Sequence, residues 1–328
     1  MADLLAYRIP NQEAIKKTGD FRVISDEDTI QSGFIISSFD QGITYLFKED
    51  NAAVNPQFNF HSSQTQPVSI SKEKYMEYGK LVKNQIEKVP LDKFVFSRIK
   101  KVAFDASKTE KLFELLCNAY PNAFVYLISS KEFGTWLGAS PEALIESHND
   151  HGFTMALAGT KENLSDIEWK RKEYREQELV SEYILETLKL NGVKNIEVSG
   201  PYQSEAGNLV HLRSDFSFDM DGFNTYDLAK RLHPTPAVCG LPKKECIELI
   251  ETIENRELHF SRNLYTGYLG LVGQKKSQLY VNLRCCQIIE DYAFLYLGGG
   301  YTEDSDVLDE WNETERKSET LLNIFELL

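Results

Sequence analysis

Two pairs of glutamates stand three residues apart, Glu173 with Glu176 and Glu310 with Glu313. Side chains at that spacing share one face of a helix, so each pair presents two carboxylates side by side. A hard cation such as Mg²⁺ takes one or two carboxylates together with waters and an anionic substrate oxygen. Two helices offering a pair each could build such a site, and Lys317 lies one further turn beyond Glu313. The spacing by itself fits a solvated helix face equally well. KRKEYREQE, around the first pair, reads as ordinary exposed salt-bridge patterning.

The elements that would carry these pairs can be read from local pattern. Ser165 and Glu168 have capping-box spacing and predict a helix running to Leu190, with Asn191-Gly192 as its stop. The second pair falls on a last helix expected over roughly 306–327. Tyr75, Tyr78, Val82, Ile86 and Val89 recur at helical spacing ahead of Pro90. Further helices are expected over 108–120 and 242–256. FVFSRI (94–99), AFVYLIS (123–129), GTWLGA (134–139) and GFTMALA (152–158) read as strands. So do NLYTGYLGLVG (263–273), QLYVNLRCCQII (278–289) and AFLYLGGG (293–300). The polar stretch 50–67 reads as a loop. Strands arrive in groups with helices between the groups, which argues for α+β with large antiparallel sheets rather than a doubly wound parallel sheet.

Composition narrows the partners. The net charge of −14 argues against a nucleic-acid surface, which would carry a basic excess. An anionic ligand would need a local cation to overcome that field. Cys117, Cys239, Cys246, Cys285 and Cys286 form no CxxC pair and read as reduced packing residues. Cys285 and Cys286 are adjacent in a strand and should point to opposite faces. With no signal-peptide pattern and no apolar run of about 20 residues, the expected compartment is the cytoplasm and no membrane contact is expected.

GASPE (138–142), ALAGT (156–160), HPTPAVCG (233–240), RELHFSRNLYTGYLG (256–270) and GGGYTEDSDVLDEWNETERK (298–317) occur in this order. Together they resemble the chorismate-utilising enzymes, and within them the isochorismate synthases, over roughly Leu91 to the C-terminus. The resemblance implies two large stacked antiparallel sheets with helices outside. It also implies one catalytic domain over 1–328, in which 1–90 carries no block that aligns by eye. Glu176 and Glu313 become direct Mg²⁺ ligands, with Glu173 and Glu310 supporting them.

The implied reaction adds water at C2 of chorismate and expels the C4 hydroxyl, so it needs a base and an acid on opposite sides of the ring. The resemblance makes Lys93, in LDKFVFSR, the base; read alone it could be a surface lysine beside Asp92. Glu142 becomes the acid, which must keep its proton in apolar surroundings. Arg284 and Lys317, with the backbone N–H groups of Gly299 and Gly300, are implied to hold the substrate's second carboxylate. Gly159 would serve the carboxylate beside the metal, and His211 matches a histidine near the substrate. Tyr265, Ala237 and Val238 should line the ring pocket, as packing alone would also explain.

Ala158 stands where aminodeoxychorismate synthases carry a nucleophilic lysine, which removes that covalent route. The HPTPAVCG block and ELVSEYILETLKLNG depart from the anthranilate synthase pattern and favour water over ammonia, so no glutaminase subunit is expected. Salicylate synthases, which go on to eliminate pyruvate, are the alternative. A silent chorismate-binding protein is a further one, although it would be expected to lack Lys93, Glu142 or the glutamates. The product would serve menaquinone or siderophore synthesis, from a monomer or weak homo-oligomer.

Overall fold

The computed structural model describes residues 2–25, 30–50, 60–63, 65–162, 167–206 and 209–328. β1 (Asp3–Arg8), β2 (Ile15–Ile24), β3 (Gly33–Ser37) and β4 (Thr44–Glu49) precede α1 (Lys72–Lys88). Then come β5 (Lys93–Ala103), α2 (Thr109–Ala119), β6 (Phe124–Ser130), β7 (Gly134–Ser140), β8 (Ala143–His148), β9 (His151–Glu162) and α3 (Arg171–Leu190). β10 (Glu197–Ala206), β11 (Leu209–Asp219), α4 (Thr225–Leu232), β12 (Gly240–Leu241) and α5 (Lys243–Ile250) follow. The chain closes with β13 (Tyr268–Val272), β14 (Lys276–Val281), β15 (Cys285–Ile289), β16 (Tyr292–Tyr301) and α6 (Val307–Phe325).

Hydrogen bonds join these strands in one antiparallel ladder of order β10-β11-β9-β8-β14-β13-β3-β4-β2-β1-β6-β7-β15-β16-β5-β12. β14 and β6 are six strand spacings apart, roughly 29 Å in a flat sheet. Yet Phe124 on β6 stacks on Tyr280 of β14 with ring centroids 4.5 Å apart. The ladder therefore doubles over, and the two stacked sheets expected from the sequence are its two halves.

Side-chain alternation follows from this arrangement. Phe124, Tyr126 and Ile128 enter the aromatic core between the halves, while Val125 and Leu127 pack outward under α2 and α6. Cys285 and Cys286 divide in the same way, one in each core, and all five cysteines are free. α3 and α4 cover the other half through Val180, Ile184, Leu188 and Leu228. Among the described residues no helix is long and apolar enough to cross a membrane.

Several expected boundaries shift. The helix carrying Glu173 begins at Arg171, and Glu168 lies outside it. Glu173 itself accepts from the backbone N–H of Lys170 at 2.9 Å, so the cap forms later than the Ser165–Glu168 spacing suggests; Ser165 is outside the described residues. The helix expected over 242–256 is α-helical only to Ile250 and continues as a π-helix, Glu251–Glu257. The strand expected from 263 starts at Tyr268, after left-handed residues at Asn263 and Thr266. The strand expected over 278–289 splits at 282–284, because β14 belongs to one half of the ladder and β15 to the other. In the loop expected over 50–67, residues 51–59 and 64 lie outside the described set.

The first four strands, which carry no recognisable block, occupy the middle of the ladder and link its halves. Replacing Phe124 by alanine should cost about 3–5 kcal/mol in urea unfolding. Val23→Ala, at a position 62% exposed, should stay within about 0.5 kcal/mol. Equal effects would show that the halves do not depend on their shared aromatic core.

Candidate active site

Two chain crossings between the halves carry charged side chains into one cavity. β7 pairs within one half and β8 within the other, and Pro141-Glu142 spans the step. β14 and β15 are divided in the same way, and Arg284 spans that step at φ +49°, a left-handed conformation unusual for so bulky a residue. The crossings are tied together: Ala139 N–H donates to the Arg284 carbonyl at 3.1 Å, and Val281 N–H to the Glu142 carbonyl at 3.0 Å. Asn282 anchors the step by accepting from Tyr126 Oη at 2.6 Å and donating to the Leu264 carbonyl at 2.8 Å. The cavity opens to solvent, and about 750 Å³ of unfilled space lies within it and at its mouth together.

Lys93 begins β5 and is 4% exposed, so it is a wall residue of the cavity rather than a surface lysine. Gly300 of β16 pairs with Val95, two residues further along β5, and an added Cβ at Gly300 would fall 2.8 Å from Glu176 Oε1 and 2.9 Å from Lys93 Cε. Only glycine lets the lysine and the carboxylate close over that backbone. β15 stops pairing with β16 at Tyr296, so among the described residues the following segment, 297–300, has no strand on that side. Backbone N–H groups turned that way are available to an anion. Gly299 faces away, toward Glu310 and Tyr75, and does not line the cavity.

Glu142 is 3% exposed, and burial pushes its carboxyl up to about 8 against Lys93, Arg284 and Lys317, which favour the anion. It therefore keeps its proton at neutral pH. Burial also lowers the Arg284 guanidinium, which Tyr265 and Glu313 partly offset. His211 sits opposite a β-bulge at Gly159, whose φ of +68° suits glycine and whose carbonyl lies 3.0 Å from His211 Nδ1. A carbonyl only accepts, so Nδ1 carries the proton. Nε2 is buried without a partner among the described residues. Burial and Arg284 bring this histidine down to about 3, so it faces the cavity as a neutral acceptor.

Glu176 and Glu313 line the same cavity, whereas Glu173 and Glu310 line an adjoining cleft that Glu313 and Thr160 share. Three of these glutamates have lysine partners. Lys317 holds Glu313 at 2.6 Å, Lys161 holds Glu173 at 3.5 Å, and Lys172 is bonded to Glu310. Burial raises Glu176 and Glu310, while Lys317 and Lys172 hold Glu313 down against its own burial. Burial opposes the charge of Lys172, but Glu310, Glu176 and Glu313 outweigh it and raise its pKa.

This donor set fits a hard divalent cation in kind: buried carboxylates in excess, with Glu310 Oε2 lacking a partner. Among the described residues no three acidic, histidine or cysteine side chains converge closely enough to hold an ion as they stand. An incoming cation would have to displace the lysine contacts.

Ala237, Val238 and Tyr265 line the cavity as expected, together with Val95, Thr266 and Leu283, which carried no signal in the sequence. Lys172 was also missed, because KRKEYREQE reads as a solvated face until the fold turns its lysine inward.

Isochorismate synthase EntC of Escherichia coli (strain K12) is 30% identical over 250 residues, covering 72% of this chain and 63% of that protein, so the match spans less than two thirds of the relative. Isochorismate synthase MenF of Bacillus subtilis is 25% identical over 267 residues, covering 77% of this chain and 56% of that protein. Among solved structures, a putative 2,3-dihydroxybenzoate-specific isochorismate synthase, DhbC from Bacillus anthracis, superposes with a TM-score of 0.82. It has 23% identity and covers 99% of this chain and 96% of that one. Residues 22–326, well beyond the part recognisable from Leu91, match the chorismate binding enzyme family, and the chain belongs to that family.

Proposed function

We propose that this chain converts chorismate to isochorismate. The observation that carries the reading is a buried lysine and a proton-retaining carboxyl, Lys93 and Glu142, in the walls of one cavity. With Lys93 in its neutral amine form, a water adding at C2 gives its proton to the amine lone pair. The ring double bonds shift, and the C4 hydroxyl leaves as water on taking the proton of Glu142. One water enters and one leaves, so no oxidant or second substrate is needed. Ala158 supports water as the nucleophile, since a methyl group cannot form the covalent adduct that a lysine there would.

Chorismate carries two carboxylates. Arg284 and Lys317 supply charge for one, with free backbone N–H groups near Gly300. Glu176 and Glu313 would hold Mg²⁺, with Glu310 and Glu173 beside them, and the ion would neutralise the other carboxylate. His211 Nε2 can accept a hydrogen bond only from a donor such as a hydroxyl or water, which suits the reacting side of the ring. Residues 1–328 form one catalytic domain in this reading, and its product would supply menaquinone or siderophore synthesis.

Purified protein with chorismate and Mg²⁺ should form isochorismate, followed by chromatography, and EDTA should stop it. Salicylate and pyruvate as the main products would select the salicylate synthase reading instead. Lys93→Ala should lower turnover by about 10²–10⁴-fold while chorismate binding stays measurable by calorimetry; a native rate would remove Lys93 as the base.

A general acid works only while protonated. With the Glu142 carboxyl at about 8, the contribution of this acid to kcat/KM should be lost as pH rises through that value. Glu142→Gln should lose both the rate and that alkaline limb. A limb that persists in the variant belongs to another group.

A further inference from the structure

A buried ion pair away from the cavity joins two of its walls. Glu254, in the π-helix, and Arg262 are 0% and 2% exposed, and neither lines the cavity. Arg262 meets the carboxylate twice, Nε to Oε2 at 2.7 Å and Nη2 to Oε1 at 2.8 Å. The guanidinium also reaches main chain: Nη1 donates to the Val238 carbonyl at 2.7 Å and Nη2 to the Val95 carbonyl at 2.8 Å. Glu254 Oε1 accepts in addition from the Ser97 N–H at 2.8 Å, and the Phe39 ring lies 4.5 Å from the guanidinium carbon.

Both carbonyls belong to cavity walls beside the lysine. Val95 is two residues beyond Lys93 on β5 and lines the cavity, as does Val238. Val95 N–H bonds to the Cys239 carbonyl at 3.0 Å, and β12 then pairs Gly240 with Phe94 and Leu241 with Lys93. The Ala237–Val238 wall and the start of β5 are thus held by the guanidinium on one side and a short strand pairing on the other.

A buried ion pair is weak evidence for stability, because apolar residues of the same volume often do as well. What an arginine–glutamate fork adds is direction: a rigid plane whose donors can hold several acceptors at fixed angles. Glu254 is presented from a π-helical turn, a departure from regular helix that recurs at functional sites.

We propose that Glu254 and Arg262 are positioning residues that fix the Val238 wall against β5 and thereby hold Lys93 in its working place. The inference rests on Lys93 being the base.

The double variant E254Q/R262M removes both charges and leaves no unpaired ion in the interior. Because the Val238 and Val95 carbonyls lose their donors, it should melt somewhat below the native protein; the folded variant should bind chorismate within about threefold, while kcat falls about 10²-fold, as expected for a misplaced catalytic group. The solvent deuterium isotope effect on kcat should rise, because proton transfer from water becomes slower relative to the other steps. Arg262→Lys keeps the charge but loses the fork, so it should move both quantities in the same direction, and it decides the matter if the double variant does not fold.

A kcat that falls only in proportion to the folded fraction, with an unchanged isotope effect, would make the pair structural and overturn the proposal. The native chain is measured alongside. Failure of that chain to form isochorismate would defeat the functional reading itself, a result distinct from native-like variants.

Discussion

The stacking of one half of the ladder on the other, centred on Phe124 against Tyr280, is the contact from which the site follows. A ladder that doubles over must send chain from one half to the other, and such a step breaks regular pairing. β7–β8 and β14–β15 each make one, and Glu142 and Arg284 stand on them. Residues at a crossing are freed from ladder geometry yet enclosed by both halves. That combination lets ionisable side chains point into an enclosed cavity without sitting on a flexible surface loop.

Enclosure also sets protonation. Burial raises the Glu142 carboxyl, which has cations near it but no ion pair among the described residues, whereas Glu313, bonded to Lys317, is held low. His211 is driven neutral by the same burial with Arg284 beside it. Two carboxyls with opposite protonation preference share one cavity, separated by their partners rather than by depth. That is the arrangement expected where an acid and an anion must work side by side.

Local pattern revealed much of this chain because each strand and helix buries apolar faces at its own period. The strands 94–99, 123–129 and 134–139 and the helix ahead of Pro90 recur in the structure close to their expected bounds. Periodicity failed where tertiary contacts override it. QLYVNLRCCQII reads as one strand, but Asn282 and Arg284 serve a crossing that no local signal marks. Glu173, read as support for a metal, also caps its own helix and pairs with Lys161. The first ninety residues carried no aligned block and still provide four strands at the centre of the ladder, because a strand in that place needs alternation and burial rather than particular side chains.

The sequence by itself determined which chemical groups are present: two glutamate pairs at helical spacing, a lysine at a strand start, a glutamate after proline, and a run of three glycines at a strand end. Covalent order and residue type settle those, together with the family they imply. Only the tertiary structure decided which groups share a cavity and in what electrostatic state. Lys93 and Glu142 are 49 positions apart, and Glu176 and Glu313 are 137 apart. Their proximity, burial and lysine partners arise from long-range packing of the two halves, which no local window of sequence contains.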